Sequence, residues 1–427
     1  MKKKLLCALL SAAMTASLLV GCGSTPAEGT DANTEAPQTT DDAAAPEEDA
    51  AGTSESGDAA GTSESGDAGE FTGTIKIGGI GPTTGTAAVY GNAVKNAAQI
   101  AVDEINAAGG VNGCKLEINF QDDECDAEKS VNAYNTLKDW DMQLLIGTVT
   151  SGCCIAVEAV ASEDNMFLLT PSGSAVECVS GENAFRVCFS DPNQGSASAR
   201  YIGENGLAEK VAVIYDSSDI YSSGIYEKFA AEAANQPFEI VAAEAFTADN
   251  KTDFNTQLKK AQESGADMVF LPIYYTEASL ILAQADKMGF EPKFFGCDGL
   301  DGILQVENFD TSLAEDVMLL TPFAADASDQ MTQDFVAAYK AAYNGETPNQ
   351  FAADAYDAVY IIKAAAEKAG ITGDMGASEI CNLMKDAMPT ITVDGLTGAG
   401  ITWTADGEPD KAPKAVKIEN GAYVSMD

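Results

Sequence analysis

The sequence predicts an α/β protein: two doubly wound parallel-sheet lobes joined by a three-strand hinge. Three observations carry that prediction. From Phe71 onward, short β-type runs alternate with amphipathic helical stretches, the rhythm of parallel sheets covered on both faces. This body runs for about 357 residues, more than one sheet comfortably holds. The whole chain of 427 residues is 45% hydrophobic, enough apolar material for full cores.

Taken in order, residues 1–21 read as a signal rather than structure. Met1-Lys2-Lys3-Lys4 is a positive start, and the apolar stretch after it is shorter than the roughly 20 residues of a membrane span. It ends in Leu19-Val20-Gly21-Cys22, which resembles the bacterial lipobox; Cys22 would then be acylated and become the first mature residue. Residues 22–70 are the expected disordered acidic tether. Positions 23–70 contain no Val, Ile, Leu, aromatic, Lys or Arg, and 51–59 recur unchanged as 60–68. A flexible chain of that length reaches about 40 Å.

The body opens with a strand at 74–80, closed by Gly81-Pro82. A helix follows at 90–108, with Val94, Ala97, Ala98, Ala101, Val102 and Ile105 at helical spacing before Gly109-Gly110 stops it. Further strands are expected at 115–120, 143–146, 166–169, 210–215, 239–245, 267–271 and 317–320. Helices fill most of the gaps, for example 127–138 and 252–264. The chain should cross between lobes near 190–192, near 321–322 and once more toward its end. Lobe 1 is then 71–190 plus 322–390, and lobe 2 is 191–321 plus 391–427. Ligands in such sheets bind at the carboxyl ends of the strands.

Composition removes several functions. Against 24 basic residues stand 66 acidic ones, a net charge of −42, so no basic face exists for nucleic acid or anionic lipid. The chain has no histidine, which excludes Ser-His-Asp and Cys-His nucleophile systems and histidine-bound metals. No cofactor and no metal site is expected. The run Asp122-Asp123-Glu124-Cys125-Asp126 lacks the glycine-turned loop of an EF-hand and reads as a solvated loop.

These elements carry a resemblance. Ile75-Lys-Ile-Gly with Gly81-Pro82-Thr-Thr-Gly85 and Tyr90-Gly91 is similar to the first strand and loop of type I periplasmic binding proteins, in the leucine/isoleucine/valine-binding branch of ABC-transporter solute-binding proteins. Residues 101–113, the acidic run at 122–126, Phe185-Arg186 through Gly195, Ala355-Tyr356-Asp357 and Asp394-Gly395-Leu396-Thr397-Gly398 match that family in order. The resemblance implies the type I periplasmic-binding-protein fold and a pocket for a free amino acid.

Its residues transfer one by one. Ser151, opening a helix after Gly147-Thr148-Val149-Thr150, matches the serine that holds the ligand carboxylate, where helix amides and macrodipole favour an anion. Ser172 and Ser174 fall on the next strand-end loop. Asp298 matches the carboxylate that takes the ammonium. Tyr90, Tyr221, Tyr274 and Phe351 match the aromatic wall, with Tyr275 adjoining Tyr274, and Val149 and Thr150 line the side-chain pocket. Asp354 departs from the pattern; it is either solvated or turns the pocket toward polar or cationic side chains. The resemblance also implies a disulfide from Cys125 to Cys153 or Cys154. Cys178 with Cys188 is a second expected pair, and free thiols are the alternative.

The expected function is therefore an extracytoplasmic receptor, not an enzyme, that captures a branched-chain or related amino acid between its lobes. It would deliver the ligand to ABC permease subunits driven by a separate ATPase, since the chain has no P-loop. It would be a monomer, lipid-anchored on the outer face of the bacterial cytoplasmic membrane. The alternatives are a sensory ligand-binding protein of the same fold, or a binder of amides or other small carboxylates. A hydrolase built on Ser151 and Asp298 would lack a base.

Overall fold

The computed structural model describes residues 70–426; the signal segment, Cys22 and the tether to residue 69 lie outside the described residues. The first half of the body runs β1 (Gly73–Gly81), α1 (Ala88–Ala107), β2 (Cys114–Asp122), α2 (Ala127–Asp139), β3 (Leu144–Ile146), α3 (Ser151–Glu163), β4 (Leu168–Thr170) and β5 (Ala184–Arg186). It continues through α4 (Asp191–Glu204), β6 (Lys210–Asp216), α5 (Ile220–Ala233), β7 (Glu239–Phe246), α6 (Asn255–Glu263), β8 (Met268–Leu271), α7 (Tyr275–Met288), β9 (Lys293–Gly296) and β10 (Met318–Thr321). The last part is α8 (Gln330–Ala342), α9 (Gln350–Ala369), α10 (Ala377–Ala387), β11 (Val393–Gly395), β12 (Gly398–Ile401), β13 (Lys414–Glu419) and β14 (Ala422–Ser425).

Two main sheets result. One has the order β2-β1-β3-β4-β5, with every pairing parallel; Ile77 stands between Ile118 and Leu144. The other has the order β14-β13-β10-β9-β8-β6-β7. Its five parallel strands repeat the same winding, and β13 and β14 close one edge antiparallel. Both sheets therefore reverse strand order between their first and third strands, the switch point at which doubly wound sheets leave a crevice. Strands β5 and β9 and the closing β13–β14 pair are additions to the sequence expectation. They are short or lie late in the chain, and periodicity is weakest over three or four residues.

Local chemistry explains the helix starts. Asp126 accepts from the Lys129 N–H to cap α2, Asp329 caps α8 through Thr332, and Asn349 caps α9 through Ala352. The apolar positions expected on α1 are buried, and α1 packs along α9 over the first sheet. Ile75, Ile77, Leu144, Phe167, Val359 and Ile362 form that core. Residues 391–403 were expected in the second lobe. Ile391, Ile401 and Trp403 instead bury themselves in the first core, and the Trp403 indole donates to the Arg186 carbonyl at 2.8 Å. The last return of the chain thus falls between Trp403 and β13. No helix among the described residues is long and apolar enough to cross a membrane.

Candidate functional site

All ten predicted pocket residues line one small cavity: Tyr90, Val149, Thr150, Ser151, Ser172, Ser174, Tyr221, Tyr274, Asp298 and Phe351, joined by Gly299. The topology brings them together. In the first sheet Tyr90 follows β1, residues 149–151 follow β3 and the two serines follow β4. In the second, Tyr221 follows β6, Tyr274 follows β8 and Asp298 follows β9. The carboxyl ends at both switch points face each other across this cavity. Its volume is about 10 Å³, the space of one water. The walls must part before anything larger is admitted.

One end of the cavity is acidic. Asp298 Oδ1 accepts from the Tyr221 hydroxyl at 2.7 Å, and Oδ2 accepts from Gln194 Nε2 at 3.0 Å. Gln194 Oε1 in turn accepts the Asp298 backbone N–H at 3.2 Å. Burial pushes the Asp298 carboxyl up to about 6, while Tyr221 and Gln194 pull it back. Each carboxylate oxygen keeps a lone pair for a further donor. Gly299 completes this corner: its N–H donates to the Tyr221 hydroxyl at 2.9 Å, and a Cβ there would lie 2.6 Å from the same oxygen.

The opposite end offers donors. Thr150 precedes α3 without capping it through its side chain, so the first amides of α3 have no intrahelical or capping partner. The Ser151 hydroxyl accepts from the N–H groups of Ser174 at 3.2 Å and Ala175 at 3.1 Å, which leaves its own proton free to donate. Ser172 uses its proton on the Val149 carbonyl at 2.7 Å. Behind this loop lies Arg186, fully buried, donating to the carbonyls of Gly173 and Ala175 and paired with Glu408 at 3.2 Å.

Aromatic rings close the sides. Tyr90 stacks on Phe351 at 4.0 Å between centroids, and Tyr221 stacks on Tyr274 at 4.9 Å. Tyr274 rather than Tyr275 faces the cavity; Tyr275 stands edge-on behind Tyr90 at 4.8 Å. The Tyr90 hydroxyl donates to the Gly299 carbonyl, tying the first-sheet side to the second across the closed cleft. The arrangement suits a small zwitterion, with its cation at Asp298 and its anion at Ser151.

Several expectations change. Asp354 is neither solvated nor part of the cavity wall: it is buried and paired with the equally buried Lys411 at 3.2 Å, and Lys411 also donates to the Val187 carbonyl at 2.9 Å. No disulfide forms among the described residues, where all eight cysteines are free. Cys125 neighbours Cys153, and its Sγ donates to the Thr150 hydroxyl at 3.6 Å. Cys154 is the neighbour of Cys178, its Sγ donating to the Cys178 carbonyl at 3.9 Å. The loop at 122–126 is only partly solvated. Asp123 is buried, accepts from the Cys125 N–H at 2.9 Å, and is pushed up to about 6 by burial. Gln194, Gly299, Arg186 and Lys411 carry structural roles here that the sequence reading did not assign. Gln194 and Arg186 sit inside the quoted crossover motif, which was the available signal.

A family model described as periplasmic binding protein matches residues 74–422. The Leu/Ile/Val-binding protein homolog 3 of Brucella melitensis is 31% identical over 357 residues, covering 83% of this chain and 94% of that protein. BraC3 of Rhizobium johnstonii, a Leu/Ile/Val-binding protein, is 31% identical over 331 residues, covering 77% of this chain and 88% of that protein. Among solved structures, the branched-chain amino acid transporter substrate-binding protein LivJ of Streptococcus pneumoniae, in complex with isoleucine, superposes with a TM-score of 0.74. It is 30% identical, over 82% of this chain and 98% of that one. The leucine-binding protein LivK of Thermotoga maritima gives 0.73 at 26% identity, over 83% and 98%.

Proposed function

Because the chain belongs to the periplasmic binding protein family, we propose that it is an extracytoplasmic receptor that captures a free amino acid, branched-chain or related, for an ABC permease. The observation that carries this reading is the buried Asp298, held by Tyr221 and Gln194 and facing Ser151 across an aromatic-walled cavity. A carboxylate at one end and free donors at the other match an α-ammonium and an α-carboxylate. The relatives that bind leucine, isoleucine and valine favour the same class. Binding, rather than chemistry, is the work of the site: a ligand that bridges both sides stabilises the closed form by its differential affinity. The residues expected to touch ligand are the ten lining side chains, with Gly299 and the amides of α3.

The mature chain is proposed to be acylated at Cys22 and held, as a monomer, on the outer face of the cytoplasmic membrane by its acidic tether. It would hand ligand to permease subunits powered by a separate ATPase. The support is the lipobox-like Leu19-Val20-Gly21-Cys22 and the tether composition. Cys22→Ala should release the protein from membranes into the medium and abolish incorporation of labelled fatty acid; labelling that persists in this variant refutes the anchor.

The direct test of ligand class is a thermal-shift screen of the twenty amino acids, with amides and short acids as controls. A true ligand at 100 times its dissociation constant stabilises the protein by about 2.7 kcal/mol. Stabilisation by no amino acid, or by acids lacking an ammonium just as strongly, would overturn the reading.

A further inference from the structure

Ser151, which faces the cavity at its donor end, is held by two peptide groups, and each of those groups is gripped from behind. The N–H of Ser174 donates to Ser151 Oγ at 3.2 Å, and the N–H of Ala175 does so at 3.1 Å. In a trans peptide the C=O points away from the N–H, so the carbonyls of these two units face the other way. There the Gly173 carbonyl accepts from Arg186 Nη1 at 3.1 Å. The Ser174 carbonyl accepts the N–H of Asp191, the first residue of α4, at 2.8 Å. Arg186 Nη2 reaches on to the Ala175 carbonyl at 2.9 Å. Arg186 does not line the cavity, yet only one peptide group separates it from the Ser151 hydroxyl.

A cation this deep is costly. The Arg186 side chain has no exposed surface, and its Nε lacks an acceptor. Among the described residues its ion-pair partner is Glu408, at 3.2 Å and 33% exposed. Burial pushes the carboxyl of nearby Asp191 well up, which favours its neutral form. A neutral amide could hold the same two carbonyls at a lower desolvation cost. What the guanidinium adds is a field. It polarises the 173–174 peptide, whose N–H then draws on Ser151 Oγ and strengthens that hydroxyl as a donor. The N-terminus of α4 acts in the same sense through the Ser174 carbonyl.

We propose that Arg186 is a positioning residue that sets the anion selectivity of the cavity: relayed through the 173–174 peptide and Ser151, its charge makes the site prefer a carboxylate to a neutral carboxamide. The inference rests on the amino-acid reading above and names the group that carries its carboxylate half. Glu408, on the segment between Trp403 and β13, opposes Arg186 and tempers that preference.

The test is a ratio of affinities. The purified full chain is titrated calorimetrically with L-leucine, L-isoleucine and L-valine, each beside its own primary amide, at one fixed pH. Acid and amide share the ammonium and the side chain, so their ratio isolates the carboxylate. Arg186→Gln keeps a donor for the loop and removes the charge; it should lower the acid-to-amide ratio about tenfold, the effect of one buried charge a few hydrogen-bond lengths away. Glu408→Gln leaves the Arg186 charge unopposed and should raise the ratio about threefold, less because Glu408 is partly screened by solvent. Opposite signs are the signature of charge, since loss of a merely structural ion pair would move both variants the same way. Should Arg186→Gln fail to fold, Glu408→Gln decides alone: a higher ratio supports the proposal, and an unchanged or lower one overturns it. A ratio unchanged in Arg186→Gln, or lowered in both variants, overturns it as well. A parent protein that bound none of the three acids more tightly than its amide would instead remove the amino-acid reading, and this inference with it.

Discussion

The function proposed for this protein turns on one carboxyl group. Asp298 is buried, and its proton affinity is raised to about 6 even though Tyr221 and Gln194 hydrogen-bond its charged form. An ammonium ligand needs the ionised acid, so binding must expel the proton wherever Asp298 holds one. Affinity for an amino acid should therefore be flat above about pH 6 and fall about tenfold per unit below it. Calorimetry across that range checks this, and affinity that rose on acidification would remove Asp298 from the ammonium site. Asp298→Asn removes the charge while keeping one acceptor oxygen for Tyr221, and should abolish measurable binding in a folded protein. Gly299→Ala tests the corner more gently. Its Cβ would press on the Tyr221 hydroxyl and the Ile273 carbonyl, so binding should weaken while far-ultraviolet circular dichroism stays unchanged.

At the scale of elements, Lys411 ties three parts of the fold. It reaches from the segment before β13 to Asp354 on α9 and to the carbonyl of Val187, just past β5. Burial pushes Asp354 up to about 7, and Lys411 only partly offsets it. Removing one partner of a buried pair costs about 3–5 kcal/mol where the other stays charged. Lys411→Met should therefore lower Tm strongly at pH 8 and much less at pH 5, where Asp354 takes up a proton. A Tm difference independent of pH would mean that Lys411 acts through packing alone. The helix ends show the same division of labour. Asn349 caps α9 and Asp329 caps α8, as their side chains predict. Asp354 could not be read this way, because its partner lies 57 residues further along the chain.

At the scale of the molecule, acidity and burial act together. Asp123, Asp219, Asp298, Asp301 and Asp354 all have proton affinities raised from 3.8 to about 6 or 7, with burial as the largest cause. A carboxyl raised in the folded state stabilises it below its unfolded value, and that contribution is lost as pH rises through the folded value. The ligand-free protein should therefore gain Tm as pH falls from about 7.5 toward 5. Paired surface acids such as Asp122 and Asp164 are lowered instead, and their contribution fades only in stronger acid. The proposed amino-acid binding works against this trend, so the ligand-induced rise in Tm should shrink below about pH 6. Melting curves with and without ligand measure both effects. Much of this protein was legible in its sequence: most of the alternating strands and ten of the eleven residues that line the cavity follow from periodicity and ordered motifs. Those are local signals, or signals a matched position carries with it. The partners of Asp298 and Asp354, the contact of Cys154 with Cys178 and the late return after Trp403 came only with the tertiary structure. Each is a contact between residues distant in the chain, and which buried polar groups meet is set by how the two sheets and their helices pack.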